Sequence, residues 1–464
     1  MTLAVPSHSF WRVFYAFLIL PMALVLVHVA ALARPKLRAS LRGRRGLWER
    51  LKAQAGARDP SRPLVWIHAA SAGEILMALP VLERLLAGGA QGALTVTSVS
   101  GLRWVERQRE RLPGLIVADY LPLDTRGHAR RMLALLRPAA LVYVKYDLWP
   151  NLIWAARAAG VRQYLLAATL HEGSRRLASP LSRSFYRALY PALDALWPVA
   201  ESHAERFRAA VPDHPAVLTL GDPRFDSVLE RQAREGTPGL SGTGLSGAGL
   251  SGIGLSGTGL SGEESGARIF VAGSTWPDDE SRIVPALREA LALYPELRVV
   301  IAPHECSLEH VRGIEDAFEG FPLLHWSALA GGPAVPAGGP AGSTGWRVLL
   351  VDEVGPLFSL YALADLAYVG GGFGEGVHNV LEPCAQGAAA MFGPRHGNDP
   401  AAEEMVEGGV GWTFEDAAEF RERLLPLLED PARCEALGNQ ARAFVQERAG
   451  AAERAAERIA VGWA

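Results

Sequence analysis

Cysteine is scarce in this chain: Cys306, Cys384 and Cys434 are the only three in 464 residues. A scattered, odd set of thiols excludes a disulfide framework and a cysteine zinc site, and it fits a reducing compartment. Lysine is as rare, with Lys36, Lys52 and Lys145 alone among 46 basic residues. No charge sign dominates, since the net charge is −3, so there is no electrostatic footprint for nucleic acid. D-x-D pairs, H-E-x-x-H and Cys/His clusters are missing, which leaves a catalytic metal without ligands to bind it. A G-x-S-x-G elbow and a G-x-x-x-x-G-K-[ST] loop are missing too, which excludes the usual serine-hydrolase and P-loop chemistries.

What is present is apolar and long. Half the residues (49%) are hydrophobic, and 464 residues exceed one ordinary core, so two globular domains are expected. Val13 to Ala33 is an uncharged apolar run about as long as a bilayer core is thick. It is followed by Arg34, Lys36, Arg38, Arg42, Arg44 and Arg45, against Arg12 alone before it. That asymmetry predicts a membrane anchor helix over residues 10–33 with the bulk of the protein in the cytoplasm. A helix lying in the membrane interface, or one entering a partner, is the alternative. Trp48 and the arginine-rich flank suit an anionic membrane surface.

Beyond residue 34 short apolar runs alternate with amphipathic stretches. Leu64–His68, Ala93–Ser98, Leu115–Asp119, Ala140–Val144 and Arg162–Ala167 read as strands. Ile269–Ala272, Leu297–Ile301, Arg347–Val351 and Leu366–Val369 continue the series. Strand–helix alternation predicts parallel α/β sheets covered on both faces. The expected division is 34–228 for one Rossmann-like domain and 268–464 for a second, with a ligand cleft between them. Residues 229–267 are expected to be a flexible linker, because Gly-Leu-Ser-Gly repeats from Gly239 to Gly262 with a period of five. Gly331 to Gly345 reads as a Gly/Pro-rich surface loop.

Five segments carry the candidate chemistry. In Tyr368–Pro383 a strand ends in Gly370, Gly371 and Gly372 and leads to His378, Asn379 and Glu382, where a helix should begin. A glycine turn and a helix N-terminus admit phosphate, and Asn379 and Glu382, three apart, share a face that suits a ribose. The alternative is a capped strand-to-helix turn. In Val65–Glu74 the strand stops at His68 and Glu74 opens the next helix. Glu74 is a candidate general base, although a helix N-terminus should lower its pKa, and with Ser71 it also spells a capping box. Lys145–Asn151 offers Asp147 and Trp149 to a sugar, or forms an Asp-led turn. Gly273–Trp276 offers the hydroxyls of Ser274 and Thr275 to phosphate, or caps a helix. His304 stands just past a strand, where it meets a phosphate or base, or is structural. A carboxylate in one half and a phosphate-and-ribose site in the other suit group transfer from an activated nucleotide.

These segments resemble the bacterial 3-deoxy-D-manno-octulosonic acid (Kdo) transferases of lipopolysaccharide synthesis. The likeness rests on Trp66–Glu74, Tyr120-Leu-Pro-Leu-Asp124, Leu148-Trp-Pro-Asn151, Gly221–Asp226, Ala364–Gly372 and His378–Pro383, in that order and after an apolar N-terminal helix. The resemblance implies a GT-B fold of two Rossmann-like domains, the first meeting the lipid A precursor and the second holding CMP-Kdo. It implies an inverting reaction without metal or cofactor at the cytoplasmic face of the inner membrane. Glu74 matches the family's general base. Ser274, His304, Gly371, Gly372, Asn379 and Glu382 fall in the segments that hold CMP, joined here by Ser71, Asp147, Thr275 and His378 as substrate-binding candidates. Two departures matter. Lys145-Tyr-Asp147 replaces the family's Glu-Thr-Glu, so its acidic role rests on Asp147. Ala302-Pro-His304 lacks the family's arginine, leaving Arg395 or Arg224 to supply a cation. A transferase or epimerase for another nucleotide sugar, and a tethered nucleotide-binding protein without catalysis, are the rival readings.

Overall fold

The computed structural model describes residues 8–212, 214, 216–235, 268–330 and 346–463. The Gly239–Gly262 repeats and the Gly331–Gly345 loop lie outside the described residues. Two units emerge, 1–227 with 449–464, and 228–448.

The first unit is built on β1 (Leu64–His68), β2 (Gln91–Val96), β3 (Leu115–Tyr120), β4 (Ala140–Val144), β5 (Arg162–Ala168) and β6 (Ala195–Pro198). They form one parallel sheet in the order β3-β2-β1-β4-β5-β6. This is the Rossmann order, whose direction reverses between β1 and β4, and ligands bind beyond the strand ends at such a reversal. The strands are nearly continuous apolar runs because both faces are covered; β1 and β4 are buried throughout.

The second unit holds β7 (Arg268–Thr275), β8 (Leu297–Pro303), β9 (Leu323–His325), β10 (Val348–Leu350), β11 (Leu366–Val369), β12 (Ala389–Phe392) and β13 (Gly411–Thr413). Its seven parallel strands run in the order β13-β12-β11-β7-β8-β10-β9. Side chains alternate across it: Phe270 and Ala272 enter one core, Ile269 and Val271 the other. Here the reversal falls between β7 and β11.

The structure differs from the expected boundaries in two places. Residues 229–235 are not linker but the end of a helix, Pro223–Glu235, whose periodic charges and good helix formers outweigh the neighbouring repeats. The last helix, Ala451–Ala460, belongs to the first unit and not to the second. Its Ala451, Ala452, Ala455, Ala456 and Ile459 are buried there, and the Asp226 carboxylate accepts from the N–H groups of Gly450 (2.9 Å) and Ala452 (3.2 Å).

Ser9–Ala33 forms one helix, with a mean hydropathy of 2.5 over its most apolar 18-residue window, long and apolar enough by length and composition to cross a membrane. Asp124, from the Tyr120–Asp124 motif, joins the first unit together. Its carboxylate accepts from the backbone of Asn151 (3.0 Å) and Leu152 (2.9 Å), at the start of the helix Pro150–Ala158, and from the Tyr15 hydroxyl (3.0 Å).

Candidate active site

In the first unit the side chains at the β1/β4 reversal converge. His68 closes β1, and its Nε2 lies 2.8 Å from the Asp147 carboxylate just beyond β4. The Trp149 indole nitrogen is 3.1 Å from the same oxygen and 2.8 Å from Nε2. An indole only donates, and Nε2 facing a carboxylate carries a proton, so both N–H groups serve Asp147. Behind them Trp66 donates to the Thr95 hydroxyl (2.8 Å), which lies 3.0 Å from His68 Nδ1. Burial pushes the Asp147 carboxyl up, but the His68 bond and charge with the Trp149 N–H outweigh it and hold it below the usual range.

Glu74 sits in the first turn of the helix Ala72–Ala87 and is buried, 8% exposed. The Ser71 hydroxyl caps that helix through the Glu74 N–H (3.4 Å). The capping box is only half made, because the Glu74 carboxylate reaches back to the Ala70 N–H (2.5 Å). The expected lowering by the helix terminus is overturned. Burial pushes the carboxyl up and the nearby Asp147 charge adds to it, against the Ala70 bond and the charges of His68 and Lys145. A carboxylate raised in this way is a stronger base near neutral pH. Lys145 has a left-handed backbone, φ 60°, strain that a non-glycine residue carries where the surroundings demand it.

In the second unit the ends of β7 and β11 meet. Gly370 is required, since a Cβ there would overlap the Ser274 carbonyl; Gly371 has φ 93°. Ser274 is itself left-handed, φ 55°. Two expectations are corrected. The Gly371 N–H does not face a ligand but donates to the buried Asp279 (2.9 Å), which also accepts from the Trp276 N–H (2.9 Å) and the Tyr368 hydroxyl (2.6 Å). The turn is thus braced by an internal anion where an external one was expected. Thr275 is fully buried, and its hydroxyl donates to Glu280 (2.7 Å), so it positions the strand end and leaves contact to Ser274.

His304 and His378 stack with centroids 4.4 Å apart, and Trp276, nearly coplanar with His378 (13°), stacks on the same face of His304 at 4.7 Å. Trp276 donates to His378 Nε2 (3.0 Å), so that nitrogen carries no proton. Burial and the adjacent His304 push the His378 pKa down to about 4. The exposed His304 is left as the face open to an anion.

Asn379 and Glu382 meet, the amide 3.3 Å from the carboxylate, and the short helix Leu381–Gln386 begins within this polar cluster, where one was expected. Burial raises the Glu382 carboxyl, with Arg231 and Asn379 opposing. Of the two proposed cations, Arg224 is held by Asp222 (2.7 Å) in the first unit, whereas Arg395 donates to the Gly374 carbonyl (3.0 Å) on the glycine loop. Gly372 completes that loop, accepting at its carbonyl from the Arg395 N–H (2.8 Å).

Sequence reasoning gave no role to His68, Thr95, Asp279 or Arg231. His68 and Thr95 were findable as polar residues inside apolar strands. Arg231, 3.6 Å from Glu382, was hidden in the stretch assigned to the linker.

A family model described as 3-deoxy-D-manno-octulosonic-acid transferase (kdotransferase) matches residues 41–227. The 3-deoxy-D-manno-octulosonic acid transferase of Bordetella pertussis is 30% identical over 416 residues, 86% of this chain and 88% of that one. The protein of the same name from Haemophilus influenzae is 24% identical over 96% of this chain and 97% of its own. Among solved structures, UDP-GlcNAc 2-epimerase from Neisseria meningitidis superimposes with a TM-score of 0.57 at 13% identity, covering 86% of this chain and 99% of that one. That likeness speaks for the fold alone, which is GT-B with two Rossmann-like parallel-sheet units. With 30% identity spread over most of both chains, this chain belongs to the 3-deoxy-D-manno-octulosonic acid transferase family and is a glycosyltransferase.

Proposed function

We propose that the chain transfers Kdo from CMP-Kdo to a hydroxyl of the lipid A precursor, lipid IVA, with inversion and without a metal ion. The observation that carries this reading is Glu74, a buried carboxylate of raised pKa beyond β1, next to Asp147, which is held ionised by His68 and Trp149. The first unit supplies the base and meets the acceptor; the second holds the donor. The acceptor oxygen attacks the anomeric carbon of Kdo, its proton passes to Glu74, and the bond to the CMP phosphate breaks with its electron pair on the departing nucleotide. One displacement inverts the anomeric centre. His304, Ser274 and Arg395 meet the phosphate charge as it develops, and Asn379 and Glu382 hold the ribose. The reaction belongs at the cytoplasmic face of the inner membrane, where the apolar helix keeps enzyme and lipid together.

The test is transfer by the detergent-solubilised protein, with CMP-Kdo formed first, EDTA added next and lipid IVA last. A mass gain of one or more Kdo units in EDTA is the expected product. CMP bound with no transfer would remove the acceptor from this reading, and UDP displacing CMP would favour another nucleotide sugar.

A further inference from the structure

The apolar helix presents two faces along its whole length. Trp11 is 1% exposed, and its indole donates to Ser184 (3.0 Å). Tyr15 donates to Asp124, and Phe185 packs edge-on to Trp11 and stacked on Tyr15. Further on, Leu20 and Ala31 are buried and Leu24 and Val27 half-buried, at the spacing of one helical stripe. The other stripe, Phe17, Met22, Val25, Val29 and Leu32, is exposed at 57–75%.

Pro21 explains how the two halves stay aligned. It has no N–H for the Phe17 carbonyl, and just before it Tyr15–Ile19 form a π turn in which the Leu20 N–H reaches Tyr15. The far end is fastened too. After Arg34 the chain turns into the helix Pro35–Gly43, where Arg38 donates to the Ala31 carbonyl (2.9 Å). Ser40 then donates to Thr97 (2.6 Å) and Arg44 to Leu121 (2.9 Å), both in the first unit.

A helix that crosses a bilayer sends its N-terminus to the opposite side from the domain that follows. Here Trp11 and Tyr15, near one end, and Ser40 and Arg44, past the other, grip the same unit. Between Tyr15 and the turn at Arg34 the helix runs over residues 16–33, about 27 Å against a hydrocarbon core of about 30 Å, so it is the two grips on one unit, and not length, that argue against crossing. Cations stand at both ends of the exposed stripe: Arg126 lies 5.4 Å from the Phe17 ring, and Arg34 and Lys36 follow Leu32. That suits one layer of anionic headgroups along the helix.

We propose that this helix does not span: it lies in a single leaflet, its outer stripe among the acyl chains, with the N-terminus on the same side as the catalytic units. This rests on the reading that the helix meets a membrane, and its test does not depend on transfer activity. Ser9→Cys and Glu172→Cys, both exposed positions, are made separately in a Cys306→Ser background and expressed in a bacterial host. Spheroplasts and inverted inner-membrane vesicles are then labelled with a membrane-impermeant maleimide. The expected result is that both positions react in the same preparation, the inverted vesicles. Labelling of Ser9→Cys and Glu172→Cys in opposite preparations overturns the proposal, because the helix then crosses. Protein found in the soluble fraction overturns it together with the membrane part of the proposed function, and leaves Kdo transfer to its own assay.

Discussion

Two opposed effects act on Glu74, and their balance is what makes it useful. A helix N-terminus favours the carboxylate, worth roughly 0.3–1 kcal/mol at exposed sites, whereas burial disfavours it and wins here. The expected consequence is a pH profile of kcat/KM whose acidic limb lies above the ordinary carboxylate range. Replacing Glu74 by Gln should lower kcat by about 10²–10⁴-fold, the usual worth of a positioned base, with CMP affinity unchanged; a variant with near-normal turnover would remove Glu74 from the mechanism. His378 gives a second prediction with the opposite sign of shift. Its pKa is pushed down to about 4 by burial and by His304, so the unfolded chain takes up this proton first as pH falls. The neutral ring contributes stability in full above about 6.5 and loses it progressively toward 4. Denaturation midpoints followed across that window should fall more steeply in the wild type than in His378→Gln.

At the scale of elements, the glycine loop shows where the sequence speaks and where it is silent. Gly370 fits against the Ser274 carbonyl with no room for a Cβ, so Gly370→Ala should cost about 1–3 kcal/mol of stability and abolish CMP binding, readable by calorimetry on the folded fraction. The glycines and the strand Leu366–Val369 were legible because an apolar run ending in three glycines has few other readings. That Asp279 would occupy the Gly371 N–H was not, because the partner is 92 residues distant and lies among three consecutive acidic residues, any of which could cap the helix Pro277–Leu293. Strands show the same division. Leu64–His68 and Ala140–Val144 read directly from their β-branched and aromatic residues. Ala389–Phe392 did not, since Ala-Ala-Met-Phe favours helix and becomes a strand only through pairing with β11 and β13. The catalytic end of the first unit followed the same rule: Glu74 and Asp147 stood out at strand ends, while the Trp66–Thr95–His68 support depended on register between β1 and β2.

At the scale of the molecule, the chain enters the second unit after Ser227 and comes back for Ala449–Ala464. A sequence reading that follows chain order assigns the tail to the nearer domain, because Ala/Arg/Glu-rich periodicity shows that a helix is amphipathic without showing what it covers. Four alanines and Ile459 form its buried stripe, and polar contacts fix its register: Arg84 pairs with Glu453 (2.9 Å), and Arg454 donates to the Leu220 carbonyl (2.7 Å). The Arg84–Glu453 pair is exposed at Glu453 and adds little, so most of the hold comes from the apolar stripe and the buried Asp226. Removing residues 449–464 should therefore destabilise the first unit, although they follow the second in the chain. Calorimetry of the truncated protein should show the transition assigned to the first unit lowered or lost, with the CMP-stabilised transition of the second little changed. A drop confined to the CMP-responsive transition would mean that the tail supports the donor unit, and that its packing on the helix Ala72–Ala87 carries little of the fold.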